Sequence, residues 1–188
     1  FVEADLMGAN LSSADLTRAD FSPCSLVEAN LIGSNLTEAN LGGAKLTGRF
    51  TREGSFSRGA NLTRCVLKGA DLTLADCHGA DIADADLREA NLSNSNLIET
   101  DLKRANLSGA NLTGANLSES NLRKATLTGA NFKDVCLLET KLSGVDLSQV
   151  VNLSPKEVTQ AIIDKKTKVP DNLEIHWISD ETFECKER

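Results

Sequence analysis

The sequence predicts an all-β solenoid, a chain that stacks on itself in short repeats, and two observations lead to this prediction. Between Leu62 and Leu147 every fifth residue is apolar, with leucine at fifteen of those positions. An earlier run with the same period, in a different frame, extends from Leu6 to Leu46. Self-similarity at a fixed short period is the signature of a repeat architecture, in which each unit buries its apolar face against its neighbours. Such a fold offers long outer walls and few pockets.

The five-residue period excludes both regular elements as the structure that buries these leucines. In an α-helix a step of five residues rotates by roughly 140°, which spreads the leucines around the axis. In a flat strand the side chains alternate with period two, so successive leucines would point to opposite faces. A chain that bends once per repeat points the central leucine and the small residue two positions before it inward. The Asp, Asn, Gly and Ser residues between them suit frequent tight turns.

The repeated text is A-[DN]-L-x-x, as in Ala14-Asp15-Leu16, Ala70-Asp71-Leu72 and Ala110-Asn111-Leu112. This text resembles the pentapeptide-repeat family, and the resemblance covers residues 1–150. It implies a right-handed quadrilateral β-helix with four repeats per coil, whereas the period alone leaves three and four sides open. With about seven coils at a layer spacing of about 4.8 Å, the rod would be roughly 35 Å long.

The two runs of repeats are out of frame with each other. Leu46 and Leu62 are sixteen residues apart, which is three repeats plus one residue. Phe56 keeps the upstream frame, so we expect a slip of one residue near 57–59, where Gly59 suits a β-bulge. Either the bulge is merely tolerated or it presents three arginines to a partner, namely Arg49, Arg52 and Arg58. We expect no long loop insertion at this point.

Residues 151–188 lack the repeat and are predicted to form a C-terminal capping segment with an α-helical cap. Ser154 and Glu157 have the spacing of a capping box, and Pro155 is tolerated at the first helical position. Val158, Ala161 and Ile162 share one face at helical spacing. The sequence therefore predicts one short helix over about 155–165.

The rest of the tail alternates apolar and polar residues from Leu173 to Trp177, which predicts an extended stretch, and we expect the residues after Ser179 to be frayed. The end of a β-helix exposes apolar side chains and unpaired backbone groups, so a cap would prevent end-to-end association. The alternative is that the tail helix docks on another protein. An uncapped N-terminal end would allow a homodimer.

Composition and charge restrict the class of protein. The formal net charge of −7 argues against general nucleic-acid binding. No apolar run approaches the roughly 20 residues of a transmembrane helix, and no targeting peptide is visible. The chain begins at Phe1, already in frame with Leu6, so we expect residues upstream of it. The cytoplasm is the expected compartment, with the periplasm and the thylakoid lumen as alternatives that the family resemblance brings.

A search for chemistry finds neither catalytic nor cofactor motifs. His78 lies at a turn position, where we expect it to be exposed, and His176 lies in the tail. Neither has a nucleophile at an interpretable spacing. The five cysteines include no CxxC pair, so we expect no metal site. Cys136 and Cys185 either form a disulfide or remain free thiols. The sequence therefore predicts a protein that is not an enzyme.

The outer columns of a four-sided coil give the candidate partner surface. At the second position after the central leucine, Glu99, Glu119 and Glu139 stack as an acidic strip. Ile98 and Leu138 lie beside it, and we expect both to be exposed apolar contact anchors. The adjoining side stacks a basic strip, made of Arg64, Asp84, Arg104 and Lys124 with Lys103 and Arg123 beside them. The strips either orient a protein partner or serve only as a solvated, charged face.

The leading hypothesis is a non-enzymatic scaffold that binds an unidentified protein, which is the class that the family resemblance implies. The alternative is a DNA-mimic modulator of DNA gyrase, an activity of some family members. Members with that activity have phenylalanine at many central positions, projecting loops and a dimerisation helix. This chain has leucine at the centre of its repeats and charges of both signs, and both features weaken the alternative.

Overall fold

In the computed structural model, which describes residues 1–49, 51, 57–180 and 182–188, the repeats wind into a four-sided coil. Parallel β-bridges join the residue before one central leucine to its counterpart twenty positions later, from Asp5 with Ser25 to Asn121 with Lys141. Twenty residues are four repeats, so the structure resolves the alternatives that the period left open.

Each corner of the coil is a tight turn. The amide of Ala9 donates to the carbonyl of Leu6 at 3.0 Å, and the same bond recurs around the coil. The residue at the second turn position has a positive φ, for example +66° at Gly8 and +57° at Arg18. A positive φ at the third residue of a four-residue turn is what type II geometry requires. The corner therefore strains any residue other than glycine placed there.

The central leucines fill the coil, as predicted. Leu92, Leu107, Leu112 and Leu117 are fully buried, and the small residues two positions before each leucine line the same core. Phe21 and Phe132 replace leucine without leaving the core. A narrow interior of stacked aliphatic side chains results, with little room for a ligand.

The Asp or Asn before each leucine connects the turns to the neighbouring coil. The Oδ1 atom of Asn111 accepts the amide of Thr113 at 3.1 Å, while its Nδ2 atom donates to Oδ1 of Asn91, one coil below, at 3.1 Å. Asn96 and Asn121 donate in the same way to Asp76 and Asp101. An amide suits this position because it accepts and donates at once, whereas a carboxylate only accepts.

The register between the two runs corrects the predicted slip. Asn30 pairs with Asn61, thirty-one residues later instead of twenty, so the chain makes an eleven-residue excursion between Leu46 and Leu62. The predictions of a single extra residue near 57–59 and of no long insertion are therefore wrong. The predictions that concern Phe56 and Arg52 fall on residues outside the described ranges.

Gly59 closes this excursion because of its packing. A Cβ atom on Gly59 would lie 2.7 Å from the carbonyl oxygen of Leu46 and 2.8 Å from the amide nitrogen of Ala80. The backbone of Gly59 also donates to Gly79 at 3.0 Å, which returns the chain to the coil. The residue is thus needed for close backbone approach rather than for a bulge.

A polar cluster holds the base of the excursion together. Arg49 pairs with Glu28 at 2.5 Å, and the hydroxyl of Ser57 donates to Glu28 at 2.6 Å. The amide of Ser57 donates to the carbonyl of Arg49 at 2.8 Å. Hydrogen bonds from Arg49 and then Ser57 lower the pKa of Glu28. These bonds join both ends of the excursion to the coil beneath it.

The tail contains one helix and one hairpin. Helix α1 spans Pro155–Gln160, and the amide of Ser154 donates to Glu157 at 3.1 Å in the predicted capping box. The predicted end near residue 165 is wrong, because Ile162 forms a β-bridge with Lys141 and continues the coil.

Strand β1, Leu173–Trp177, confirms the predicted extended stretch. The prediction of fraying after Ser179 is wrong, because β2, Phe183–Glu187, pairs with β1 in antiparallel register. Leu173 and Cys185 are buried and join the same core as the central leucines. The hairpin is therefore packed on the end of the coil.

Candidate partner surface

The structure brings the three glutamates of the acidic strip together at one corner of successive coils. Glu99, Glu119 and Glu139 have φ values of +57°, +60° and +54°, so all three occupy the second turn position. The amide of Glu99 donates to Ser118 of the next coil at 3.0 Å, and that of Glu119 to Leu138 at 2.8 Å. All three side chains are exposed. Together they line a shallow groove with Lys141 and Ile162.

Four carboxylates at the same turn position elsewhere pair with a cation, whereas Glu3 and Asp134 at that position form no ion pair among the described residues. Such ion pairs join Glu28 to Arg49, Glu38 to Arg18, Asp84 to Arg104 and Glu89 to Lys68.

The acidic strip differs in stacking three such carboxylates on successive layers. Among the described residues no cation lies within ion-pair distance of Glu119 or Glu139, and Glu99 faces only the Nε2 atom of His78 at 3.6 Å. Like charges one layer apart repel, so this corner carries a modest uncompensated cost that a cationic partner would relieve.

The basic strip is partly neutralised by its own carboxylate. Arg104 binds Asp84 through two nitrogens, at 2.5 and 2.6 Å, and this bidentate hydrogen bonding lowers the pKa of Asp84. In the described part of the chain, four further cations of the strip form no ion pair, namely Arg64, Lys103, Arg123 and Lys124. Lys103 is half-buried and the other three are exposed. These four are the cations available to a partner.

The two predicted apolar anchors differ in exposure. Leu138 is 52% exposed beside Glu139, as expected. Ile98 is half-buried, which corrects the expectation that it is exposed. Ile162, 43% exposed, lies on the other side of the acidic strip. The sequence did not indicate Ile162, because its spacing from Val158 placed it on the buried face of a longer helix.

A second concavity lies at the foot of the acidic strip. Ser57, Arg58, His78, Asp81, Glu99 and Asp101 line it. His78 is half-buried there, not exposed as predicted. Within the described ranges, no group of three or more His, Cys, Asp or Glu side chains is arranged to hold a metal ion.

The cysteines are all free in the structure. Cys136 contacts the hydroxyl of Ser118 at 3.3 Å, whereas Cys185 faces Ile175 across the hairpin. Burial raises the pKa of Cys77 to about 12, so this thiol is not a nucleophile at neutral pH.

Across the described residues, no helix has the length and apolar character needed to cross a membrane.

Comparison with known families identifies the repeat. The sequence profile described as "Pentapeptide repeats" matches in eight copies, over residues 1–22, 14–48, 58–88, 85–123 and 110–149. The matches stop at residue 48 and resume at 58, so they bracket the eleven-residue excursion. No curated protein sequence matches the chain.

Three solved structures with similar chains are pentapeptide-repeat or resistance proteins. Rfr23 of the cyanobacterium Cyanothece 51142 is 29% identical over 77% of this chain and 90% of its own, with a TM-score of 0.43. A pentapeptide-repeat protein of the Arabidopsis thaliana thylakoid lumen is 29% identical over 71% of this chain and 68% of its own, with a TM-score of 0.32. QnrB1, a plasmid-mediated fluoroquinolone resistance protein, is 19% identical over 90% of this chain and 91% of its own, with a TM-score of 0.39.

Proposed function

Because the chain belongs to the pentapeptide-repeat family, we propose that it is a non-enzymatic scaffold that binds another protein on the side of its rod. Pentapeptide-repeat proteins are structural and interaction modules. The observation that carries the proposal is the uncompensated charge on two adjoining corners. Glu119 and Glu139 have no cation, and Arg123 and Lys124 have no carboxylate, within ion-pair distance among the described residues.

The arrangement suits protein recognition more than catalysis. Opposite charges displayed as two parallel strips fix the orientation of a partner and speed its association. Leu138 and Ile162 add exposed apolar area on either side of the acidic strip. The core is filled with aliphatic side chains, so the outer wall is the surface that the fold offers.

The proposal includes the shape of the scaffold. Pentapeptide-repeat proteins form right-handed quadrilateral β-helices, and about seven such coils accommodate residues 1–150. The segment 151–188 is the cap of this rod. Its support is the burial of Val158, Leu173 and Cys185 against the core, and the bridge from Lys141 to Ile162.

The capture experiment that tests the scaffold uses charge reversal on the basic strip. Arg123→Glu/Lys124→Glu replaces two cations that pair with no described carboxylate, so the fold should tolerate the change. Lys133→Glu/Lys156→Glu is the matched control, with the same change in net charge outside the strips. We expect wild type and control to retain a common binding protein in affinity capture and the strip variant to lose it. If all three proteins retain the binding protein equally, the basic strip serves only as a solvated, charged face.

One observation favours a second candidate, the DNA-mimic modulator of DNA gyrase. The register from Asn30 to Asn61 adds eleven residues between two coils, so the expected lack of a long insertion no longer counts against this candidate. Leucine at the central positions and the basic strip still argue against a mimic of a uniformly negative duplex. A gyrase supercoiling assay decides this point: no effect at micromolar protein dismisses the mimic.

A further inference from the structure

We propose that the acidic strip binds an α-helix of the partner protein, which lies along the rod and carries Lys or Arg at helical spacing. The inference rests on the proposed scaffold function and specifies the chemistry of its partner. The groove that receives the helix is the one lined by Glu99, Glu119, Glu139, Lys141 and Ile162.

The spacing of the glutamates selects a helix over a strand. Three carboxylates on successive layers of about 4.8 Å span roughly 10 Å. A helix presents side chains at i, i+3 or i+4, and i+7 on one face, and seven residues advance it by about 10.5 Å. A strand presents same-face side chains every ~6.7 Å, so its third cation would overshoot the third glutamate by about 3–4 Å. Only the helix keeps three cations in register.

The charge pattern indicates that the cations come from outside the chain. Glu38, Asp84 and Glu89 occupy the same turn position and are each paired within the rod. On the acidic strip the corresponding residues one layer away are further glutamates. Among the described residues, Lys141 lines the same groove but lies beyond ion-pair distance of all three glutamates, and Lys103 and Lys124 lie on the adjoining corner. A basic helix removes the repulsion among three like charges, and this relief adds to the attraction.

Exposed apolar side chains border the same strip. Leu138 flanks Glu139 on one side, and Ile162 lies beyond it on the other. A helix about 10 Å wide placed over the glutamates would cover both of them. The partner helix should therefore carry an apolar residue beside its last cation, so that burial adds to pairing at one end and fixes the direction of the helix.

The test uses two synthetic peptide probes of about 18 residues and equal composition. The helical probe carries three lysines at i, i+4 and i+7 and a leucine next to the last one. The extended probe carries the same lysines at alternate positions. Its prolines lie in the interior, where they prevent a helix, whereas those of the helical probe lie at the termini. Fluorescence anisotropy at low ionic strength measures binding to the full chain.

Two protein variants complete the design. Glu99→Gln/Glu119→Gln/Glu139→Gln neutralises the strip, whereas Glu3→Gln/Glu89→Gln/Asp134→Asn makes the same charge change at the second turn position of other corners. We expect wild type and control to bind the helical probe equally, and the strip variant to bind it at least about tenfold more weakly, since three exposed pairs are lost. The extended probe should bind wild type about tenfold more weakly than the helical one.

Two outcomes would overturn the inference. If both probes bind wild type equally, the strip attracts cations without selecting a helix, and the scaffold proposal is unaffected. If the helical probe binds the strip variant as tightly as wild type, the glutamates do not form the site. The scaffold proposal is decided separately by affinity capture with the basic-strip variant, so the two failures are distinguishable.

Discussion

At the scale of single residues, the central position of the repeat tolerates several apolar side chains, whereas the turn requires an unfavourable backbone conformation. The central leucine needs only to be apolar and of the right size, and Cys77, Ile82 and Phe132 are all accepted there. The second turn position instead forces a positive φ on sixteen described residues other than glycine, among them Leu74 at +59°. Each such residue costs roughly 1 kcal/mol relative to an unstrained position. The family tolerates this cost because cooperative stacking holds each corner in place.

Substitutions at two glycines distinguish the cost of a strained backbone from the cost of a steric clash. Gly129 has a φ of +71°, and a Cβ atom added to it would have open space, since the nearest atom would be the amide nitrogen of Gly109 at 4.0 Å. We expect Gly129→Ala to lower the free energy of unfolding by about 1 kcal/mol. Gly59 faces backbone atoms of Leu46 and Ala80 that cannot rotate away, so Gly59→Ala should cost about 3 kcal/mol. Chemical denaturation measures both, and equal costs would show that the chain at Gly59 relaxes freely.

The inward residues were predictable from the sequence, whereas the state of the charges was not. A period of five with a fixed central leucine determines which side chains point inward, and Leu112 is buried accordingly. In a four-sided coil of five-residue repeats, residues twenty positions apart stack on one another, which places Glu99, Glu119 and Glu139 in one column. Whether a charge is compensated depends on the side-chain conformations of neighbouring layers. The Arg104–Asp84 pair and the half-buried Ile98 were therefore found only in the structure.

At the scale of elements, the excursion and the tail show where the pattern misleads. Phe56 keeps the upstream frame in the sequence, so the eleven residues added between Leu46 and Leu62 looked like two repeats with a slip of one residue. Ile162 shares a helical face with Val158, so the sequence favoured a helix that continued past Gln160. In the structure the backbone of Ile162 forms hydrogen bonds with the coil instead. Bonding to the unpaired backbone groups of the last coil is more favourable than adding one turn to the helix. Local periodicity cannot anticipate such long-range hydrogen bonds.

The base of the excursion gives a prediction about local opening. Glu28→Gln removes the ion pair with Arg49 and weakens the bond from Ser57. We expect the amide of Ser57 to exchange hydrogen several-fold faster and proteolysis between residues 48 and 58 to increase. Glu38→Gln is the matched control, because it occupies the same turn position and pairs with Arg18 away from the excursion. Unchanged exchange in Glu28→Gln would show that the backbone bonds alone close the base.

A second prediction concerns the attachment of the tail at low pH. Hydrogen bonds from Ser148 and then Lys168 lower the pKa of Asp146 to about 2, from an ordinary value of 3.8. A carboxyl with a depressed pKa in the folded state stabilises it fully above the ordinary value, and the stabilisation is lost as the pH falls towards 2. The difference in unfolding free energy between wild type and Asp146→Asn should therefore be constant above about pH 5 and shrink between pH 4 and 2.

Thermal unfolding followed by circular dichroism at several pH values measures this difference. Asp171→Asn is the control, since it changes a carboxyl of the tail that forms no ion pair among the described residues. A difference that does not vary with pH would show that neither Ser148 nor Lys168 stabilises the carboxylate of Asp146.

At the scale of the whole molecule, the rod is limited by its ends. Its sides are closed by hydrogen bonds between layers, whereas the last coil would expose its core and an unpaired ladder without residues 154–188. Leu142, Leu147 and Leu153 are at most 5% exposed in the structure and lie in this last part of the repeat region. Exposing each such leucine costs roughly 1.5–3 kcal/mol. This cost and the free backbone groups favour pairing with the end of a second molecule.

Deleting residues 154–188 should therefore produce association that depends on concentration. Light scattering on a sizing column measures it, with wild type expected to elute at a lower mass than the truncated chain. A shorter deletion, of residues 171–188, removes the hairpin and keeps α1 and the bridges from Ile162 and Lys168. It should associate less, because the ladder of the last coil stays paired and only part of the core is uncovered. If the long deletion keeps the mass of wild type and unfolds at the same temperature, residues 154–188 do not cap the rod, and the tail is free to act as a docking element instead.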